Sequence, residues 1–251
     1  MKDLVERLNK VGLSAYQLKM IAIIAMLIDH IAWAFVPTGT FLGQFMHMIG
    51  RITAPIMCYF IAEGFHHTRN VKRYALRLGI FALISHIPFN YFMKGRLPFS
   101  SAHGFPFDFQ TSVIYTLFLG LISLMVWESE KIGQRMKRVL IFLICMLASF
   151  GDWSFIAVLW ILFFHIYRDK FKEQMRIFSL IVIPLIISPF LTLATGNKDW
   201  YKQIFQIGLL LAIPLLAQYN GEPGGGKNSK WFFYIFYPLH LLLLGLMRYK
   251  L

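Results

Sequence analysis

The stretch that decides the fold is QLKMIAIIAMLIDHIAWAFV, residues 17–36. It has the length of roughly 20 apolar residues that carries a helix across the hydrocarbon core of a bilayer. It is too long for the apolar core of a signal peptide, no small-residue cleavage site follows it, and it contains Asp29 and His30. We therefore predict a retained first membrane span.

The rest of the chain is also rich in apolar residues and poor in charged ones. Of its 251 residues, 57% are hydrophobic and 17% aromatic, and only 15% are charged, whereas a soluble domain carries about 25% charged residues. Cys58 and Cys145 lie in separate apolar runs, which argues against a disulfide framework or a cysteine metal site. The predicted fold class is all-α, a polytopic membrane helix bundle that forms a single domain over residues 1–251.

Hydropathy predicts nine membrane-spanning helices with the N-terminus inside. The predicted spans are 17–36, 42–62, 74–92, 109–127, 136–150, 152–167, 177–195, 202–218 and 231–248. The fifth and sixth spans are short and adjacent, so one long helix over 136–167 is the alternative. Nine spans place most of the 25 Lys and Arg residues on one side, as in cytoplasmic loops. Membrane topology thus accounts for the net charge of +13, and no nucleic-acid partner is predicted.

The segment GEPGGGKN, residues 221–228, is a near-match to a phosphate-binding loop. Asn228 stands where such a loop has the Ser or Thr that holds magnesium. A true phosphate loop also joins a strand to a helix, whereas this segment joins two predicted spans. We interpret it as a flexible cytoplasmic linker.

Polar side chains inside the predicted spans are the main candidates for a functional site. Charged groups at membrane depth cost about 2.5–3.5 kcal/mol each, so they seldom occur without a function. The predicted topology places the set in one layer, between the midplane and the outer leaflet, and this predicts one polar cavity. The set consists of Asp29, His30, Arg51, His86, Asp152 and His240. His47 and His165 are interpreted as structural.

Asp29 and His30 suggest acid–base chemistry. Histidine is the general base whose ordinary pKa suits neutral pH, and a neighbouring carboxylate can fix its tautomer. Adjacent residues point about 100° apart on a helix, however. Asp29 therefore serves either His30 or Arg51, and an Asp29–Arg51 pair that only holds two spans together is the alternative.

The segment EGFHHTRNVKRYALR, residues 63–77, is the second candidate region. Arg69, Arg73 and Arg77 recur every four residues, which lines them along one face of a helix. Such a row binds either lipid phosphates or a phosphorylated cofactor such as coenzyme A. The spacing alone leaves both readings open.

Several segments together resemble the TraX family, whose name-giving member N-acetylates F-type pilin. The resemblance covers nearly the whole chain. It is carried by LKMIAIIAMLIDHI, by GRITAPIMCYFIAEGFHHTRNVKRYALRL, by ISHIPFN and by FYIFYPLHLLLL. His86 departs from the pattern, because the family resemblance leads one to expect a Glu there.

The resemblance implies a membrane-embedded acetyltransferase of the bacterial inner (cytoplasmic) membrane. It implies acetyl-CoA as the donor, no metal, and an amine or hydroxyl acceptor, either a pilin-like peptide or a glycan, in or at the membrane lipid. Combined with the charge pattern, it predicts catalytic roles for His30 as the base and for Asp29, Arg51, His240 and Tyr237 around the reacting group. The donor would be bound by Glu63, His67, Arg69, Asn70, Lys72, Arg73 and Arg77. A proton-coupled transporter or flippase and a non-catalytic assembly partner for pili or peptides are the alternatives.

Overall fold

A computed structural model describes residues 12–99, 108–226 and 229–250. The described residues are helical with connecting turns, which confirms the all-α prediction. In chain order the helices are α1 (Ala15–Phe35), α2 (Phe41–Gly50), α3 (Thr53–His67), α4 (Val71–Lys94), α5 (Val113–Glu128), α6 (Gln134–Ala148), α7 (Ser154–Ile166), α8 (Phe171–Ala194), a 3₁₀ helix (Trp200–Leu211), α9 (Ala212–Leu216) and α10 (Ser229–Lys250).

Five stretches of the described residues are long and apolar enough to cross a membrane. They are Ala15–Phe35, Phe41–His67, Val71–Lys94, Phe171–Ala194 and Ser229–Lys250. Three shorter apolar helices accompany them, Val113–Glu128, Ser154–Ile166 and Trp200–Leu216. The chain is therefore a multi-pass membrane protein by length and composition, whereas the count of nine spans and the orientation stay predictions.

The predicted second span is interrupted at its centre. The helix α2 ends at Gly50 and α3 begins at Thr53, so Arg51 and Ile52 form a short turn between them. Pro55 explains the break, because proline has no N–H for the carbonyl of Arg51 and its ring crowds that carbonyl. The interruption places Arg51 at a helix end within the span.

The predicted fifth and sixth spans are two helices, as the charge argument favoured. Between α6 and α7 the chain turns over Ser149–Trp153, with the N–H of Gly151 bonded to the carbonyl of Ala148 at 2.9 Å. Trp153 and Ser154 have positive φ angles, 64° and 50°, which a continuous helix does not contain. The single long helix over 136–167 is therefore wrong.

The chain forms two compact units. The first combines Met1–Ile56 with Ser179–Phe233, and in it α1 packs on α2, which packs on the 3₁₀ helix. The second combines Met57–Phe178 with Tyr234–Leu251, and in it α5 packs against α4, α6 and α7.

The loop before α10 lies against the start of α1. The N–H groups of Leu13, Ala15 and Tyr16 donate to the carbonyls of Gln218, Glu222 and Pro223, at 2.7, 2.9 and 3.0 Å. Gly224 has φ +58°, and a Cβ atom there would overlap Ser14 Oγ, so glycine is required by both conformation and space. The loop that the sequence suggested was a flexible linker is thus bonded to the start of α1 through Gln218, Glu222 and Pro223, although residues 221–226 are exposed. Residues 227–228 lie outside the described part.

Candidate functional site

Asp29 is the centre of a buried polar cluster in the first unit. Its Oδ1 lies 2.8 Å from Nδ1 of His47, and its Oδ2 accepts a hydrogen bond of 2.9 Å from Nη2 of Arg51. A carboxylate only accepts hydrogen bonds, so Nδ1 of His47 carries the proton in this contact. We call Asp29, His47 and Arg51 the Asp29 cluster.

The local sequence explains why α1 and α2 meet at this point. His47, Gly50 and Arg51 are three and four residues apart, which places them on one side of α2 and its last turn. A Cβ atom on Gly50 would overlap the side chain of Asp29, so only glycine lets the two helices approach this closely. Thr53 adds a hydrogen bond of 2.9 Å from its Oγ1 to the carbonyl of Ala22 on α1.

Aromatic rings cover His47. Its imidazole lies 4.4 Å from the Trp33 ring and 5.1 Å from the Phe205 ring, measured between centroids, and its exposed fraction is 0%. Arg51 places its guanidinium carbon 5.0 Å from the centre of the Phe205 ring. Gln44 holds Phe205 in place, because its Oε1 accepts from the N–H of Phe205 at 3.0 Å.

The sequence offered Asp29 two partners, His30 and Arg51. Arg51 forms the ion pair that was one of the alternatives. His47, which the sequence suggested was structural, occupies the other carboxylate oxygen. His30 follows Asp29 on α1 and is half-buried. The spacing could have identified His47, since it lies one helical turn before Arg51.

His240 and Tyr237 lie together in the second unit. Both are buried on α10, with ring centroids 5.6 Å apart. Nδ1 of His240 lies 2.8 Å from the carbonyl of Phe236, which makes it the protonated nitrogen. Two other residues of the predicted polar layer belong to the same unit: Asp152 is exposed in the turn before α7, and His86 is half-buried on α4. One polar cavity shared by all of these residues stays a prediction.

The predicted donor-binding residues cluster around the turn between α3 and α4. Asn70 caps α4 by accepting a hydrogen bond of 2.9 Å from the N–H of Arg73. Arg69 therefore precedes the helix, and the predicted row of three arginines on one helical face is wrong at this position. Arg73 is exposed, and Arg77 is half-buried with its guanidinium carbon 6.0 Å from the centre of the Tyr74 ring.

A cavity of about 450 Å³ opens at this turn. Three of the predicted donor-binding residues, Arg69, Asn70 and Lys72, line it. The complete lining is Phe65, Arg69, Asn70, Val71, Lys72, Met125, Glu128 and Ser129. Two positive side chains and an aromatic ring in one cavity suit a phosphorylated ligand.

Glu63 and His67 form a second polar cluster beside that turn. Glu63 lies 3.3 Å from Nε2 of His67 and 3.5 Å from Nε of Arg168. We call these three residues the Glu63 cluster. Close by, Nε2 of His165 lies 2.7 Å from Oε1 of Glu128, a cavity-lining residue. No local sequence pattern links these two residues, because 37 residues separate them.

Among the described residues, no group of three or more His, Cys, Asp or Glu side chains is placed to hold a metal ion.

Comparisons with known proteins agree with the segments that first suggested a family. The family model described as TraX protein matches residues 14–248. The chain belongs to the TraX family. A protein named "Probable fimbrial assembly protein FimC, serogroup H1", from Dichelobacter nodosus, is 33% identical over 237 residues, which are 94% of this chain and 96% of that protein. No solved structure matches the chain.

Proposed function

We propose that this TraX-family protein is a membrane-embedded acetyltransferase of the bacterial inner membrane. It moves an acetyl group from acetyl-CoA to an amine or hydroxyl of a pilin-like peptide or a glycan. The relative's name, a fimbrial assembly protein, supports a pilin-like acceptor. The observation that carries the proposal is the Asp29 cluster, an imidazole oriented by a carboxylate inside apolar helices, because acyl transfer needs a positioned base.

The donor is assigned to the cavity at the α3–α4 turn. Arg69 and Lys72 bind phosphate groups of acetyl-CoA there, and Phe65 offers an aromatic surface. Arg73, Arg77, Glu63 and His67 do not line this cavity, so they contribute less to donor binding than the sequence suggested. Lipid phosphate is the competing occupant.

Proton transfer is assigned to one histidine of this region, and the two candidates are His30 on α1 and His47 on α2. Arg51 is the cation of this region, and a cation in a low-dielectric site stabilises a developing oxyanion strongly. Donor roles for His240 and Tyr237 stay predictions from the sequence. A proton-coupled transporter is the second candidate, because buried Asp, His and Arg side chains in membranes also relay protons.

The decisive experiment measures acetyl transfer by the purified full-length protein in lipid nanodiscs. Labelled acetyl-CoA is offered with a pilin-like helical peptide that has a free amino terminus, with the same peptide blocked at that terminus, and with a membrane glycan. We expect the free peptide to gain one acetyl group. Proton-driven solute flux in proteoliposomes, without acetyl transfer to any of these acceptors, would overturn the proposal in favour of the transporter.

The donor site is tested with a double variant, Arg69→Ala with Lys72→Ala. Charge-assisted contacts to phosphate contribute roughly 1.5–3 kcal/mol each, so we expect the apparent KM for acetyl-CoA to rise about tenfold or more per site with little change in kcat. The matched control is Lys172→Ala with Arg138→Ala, two exposed basic residues that do not line the cavity. Unchanged binding of acetyl-CoA by the first variant would assign the cavity to lipid.

A further inference from the structure

We infer that His47 is the general base of the transfer reaction, and that Asp29 and Arg51 hold it in the reactive state. This inference rests on the proposed function and deepens it, because it assigns the proton transfer to one of the two candidate histidines. It goes against the expectation from the sequence, where His30 is the base and His47 is structural.

The imidazole of His47 is oriented by Asp29. Nδ1 of His47 donates to Asp29 at 2.8 Å, so in the neutral ring the lone pair is on Nε2. No described residue forms a hydrogen bond with that Nε2, although the side chain is fully buried. A buried polar atom without a partner is costly and needs an explanation. A role as general base explains it, because Nε2 would then accept its proton from the substrate.

The positive and negative charges of the Asp29 cluster balance each other. Arg51 lies 2.9 Å from the second oxygen of Asp29 and neutralises its charge. Asp29 therefore orients the imidazole without leaving an unbalanced negative charge in an apolar region. When Nε2 takes a proton, Asp29 stabilises the new positive charge through the hydrogen bond that already exists.

Phe205 and Trp33 limit the access of a substrate to His47. Phe205 is held by Gln44, whose amide nitrogen also donates to the carbonyl of Lys202 at 3.0 Å. Trp33, the other covering ring, is 38% exposed. An acceptor therefore reaches His47 by displacing the Trp33 ring, and an apolar acceptor segment would replace the contacts that this ring gives up.

The reaction step balances with these groups. The acceptor nitrogen attacks the thioester carbonyl of acetyl-CoA, and a carbon–nitrogen bond forms while Nε2 of His47 takes one proton from that nitrogen. The carbon–sulfur bond then breaks, and the electron pair leaves with the sulfur. His47 returns its proton to the thiolate, which gives the acetylated amine and coenzyme A.

The test uses two replacements that separate the two nitrogens of the ring. In His47→Asn, the side-chain amide nitrogen stands near the position of Nδ1, so it can still donate to Asp29, but the base is gone. His47→Gln is the second variant, and His30→Gln tests the other candidate base. Turnover, thermal unfolding and acetyl-CoA affinity are measured for each full-length protein in nanodiscs.

We expect His47→Asn to unfold close to the parent temperature, to bind acetyl-CoA like the parent, and to lose at least about a hundredfold in kcat, since general-base catalysis contributes about 10²–10⁴-fold. His30→Gln should lose much less turnover than His47→Asn, and well under a hundredfold in kcat. If His47 were purely structural, His47→Asn would keep near-parent turnover, because its hydrogen bond to Asp29 survives.

Two outcomes would overturn the inference while leaving the acetyltransferase intact. One is a folded His47→Asn or His47→Gln protein with near-parent turnover. The other is a hundredfold loss in His30→Gln, which is informative even if both His47 variants fail to fold. Absence of acetyl transfer in the parent protein itself would remove the proposed function, and the inference with it.

Discussion

The Asp29 cluster and the Glu63 cluster contain the same three kinds of group, a carboxylate, a histidine and an arginine. In the Asp29 cluster the distances are 2.8 and 2.9 Å, and in the Glu63 cluster they are 3.3 and 3.5 Å. The side chains of His47 and Arg51 are 0% and 12% exposed, whereas those of His67 and Arg168 are 62% and 34% exposed. The carboxylates of Asp29 and Glu63 are similarly buried, 11% and 13% exposed, so the clusters differ in how far water reaches the histidine and the arginine.

The difference shows that residue type alone does not decide how much an ion pair contributes to the free energy of unfolding. An exposed pair contributes about 0–1 kcal/mol, because water screens the charges and the side chains lose entropy when they are fixed. Removing one partner of a buried pair leaves an uncompensated charge, which costs roughly 3–5 kcal/mol. The Asp29 cluster therefore constrains the first unit strongly, and the Glu63 cluster constrains the second unit weakly.

The largest expected effect comes from replacing the arginine of each cluster by glutamine. We expect Arg51→Gln to lower the free energy of unfolding by about 3–5 kcal/mol, because Asp29 is left buried with its charge unbalanced. Arg168→Gln, the matched change in the Glu63 cluster, should cost less than about 1 kcal/mol. Denaturant unfolding in detergent micelles measures both. Equal costs for the two variants would contradict the contrast between the clusters.

A smaller effect is expected from the glycine that allows the Asp29 cluster to form. Gly50→Ala places a methyl group against the Asp29 side chain, and such overpacking costs typically about 1–3 kcal/mol. Gly133→Ala is the control, since a Cβ atom there meets no described atom within 4 Å. Thermal unfolding of the two variants tests the claim. If Gly50→Ala were as stable as Gly133→Ala, α1 and α2 would have room that the structure does not show.

The smallest effect concerns a third carboxylate, Asp108, before α5. Burial raises the pKa of Asp108, but the hydrogen bond and charge of Lys94, with a backbone bond from Gln110 and the charge of Arg96, outweigh it, so the pKa lies below its usual 3.8. The pair with Lys94 therefore stabilises the folded state above about pH 4 and ceases to do so as the pH falls through the lowered pKa.

This contribution should not exceed about 1 kcal/mol, as for other solvent-accessible pairs. It is measured as the free energy of unfolding between neutral and acidic pH, for the parent and for Asp108→Asn. The variant should be slightly less stable at neutral pH and equal to the parent at the acid end. A difference that persisted unchanged at the acid end would show that Asp108 acts through packing and not through its charge.

Local patterns in the sequence predicted the parts of the fold that depend on neighbours along the chain. Hydropathy located α1, α4 and α10, and the Gly151–Asp152 pair marked the turn that separates α6 from α7. The break at Arg51 was also readable, since Pro55 follows four residues later, but the strong hydropathy of residues 42–62 hid it. These features follow from rules that act over one or two helical turns.

The partners of polar groups were predicted less well, because they depend on how helices pack. The sequence offered Asp29 two partners, His30 and Arg51, yet His47 takes one of its oxygens. The pairing of His165 with Glu128 and the bonding of residues 218–223 to the start of α1 have the same origin. Depth in the membrane restricts which residues can come into contact, but the rotation of each helix about its own axis decides which ones do.

The contacts between Gln218–Pro223 and the start of α1 have a consequence for biosynthesis. The first N–H groups of a helix have no partners within it, and here Ser14 and Gln17 can satisfy only part of them locally. The remaining carbonyl partners belong to a loop that leaves the ribosome some 200 residues later, tens of seconds at usual synthesis rates. The start of α1 is therefore completed only late in synthesis.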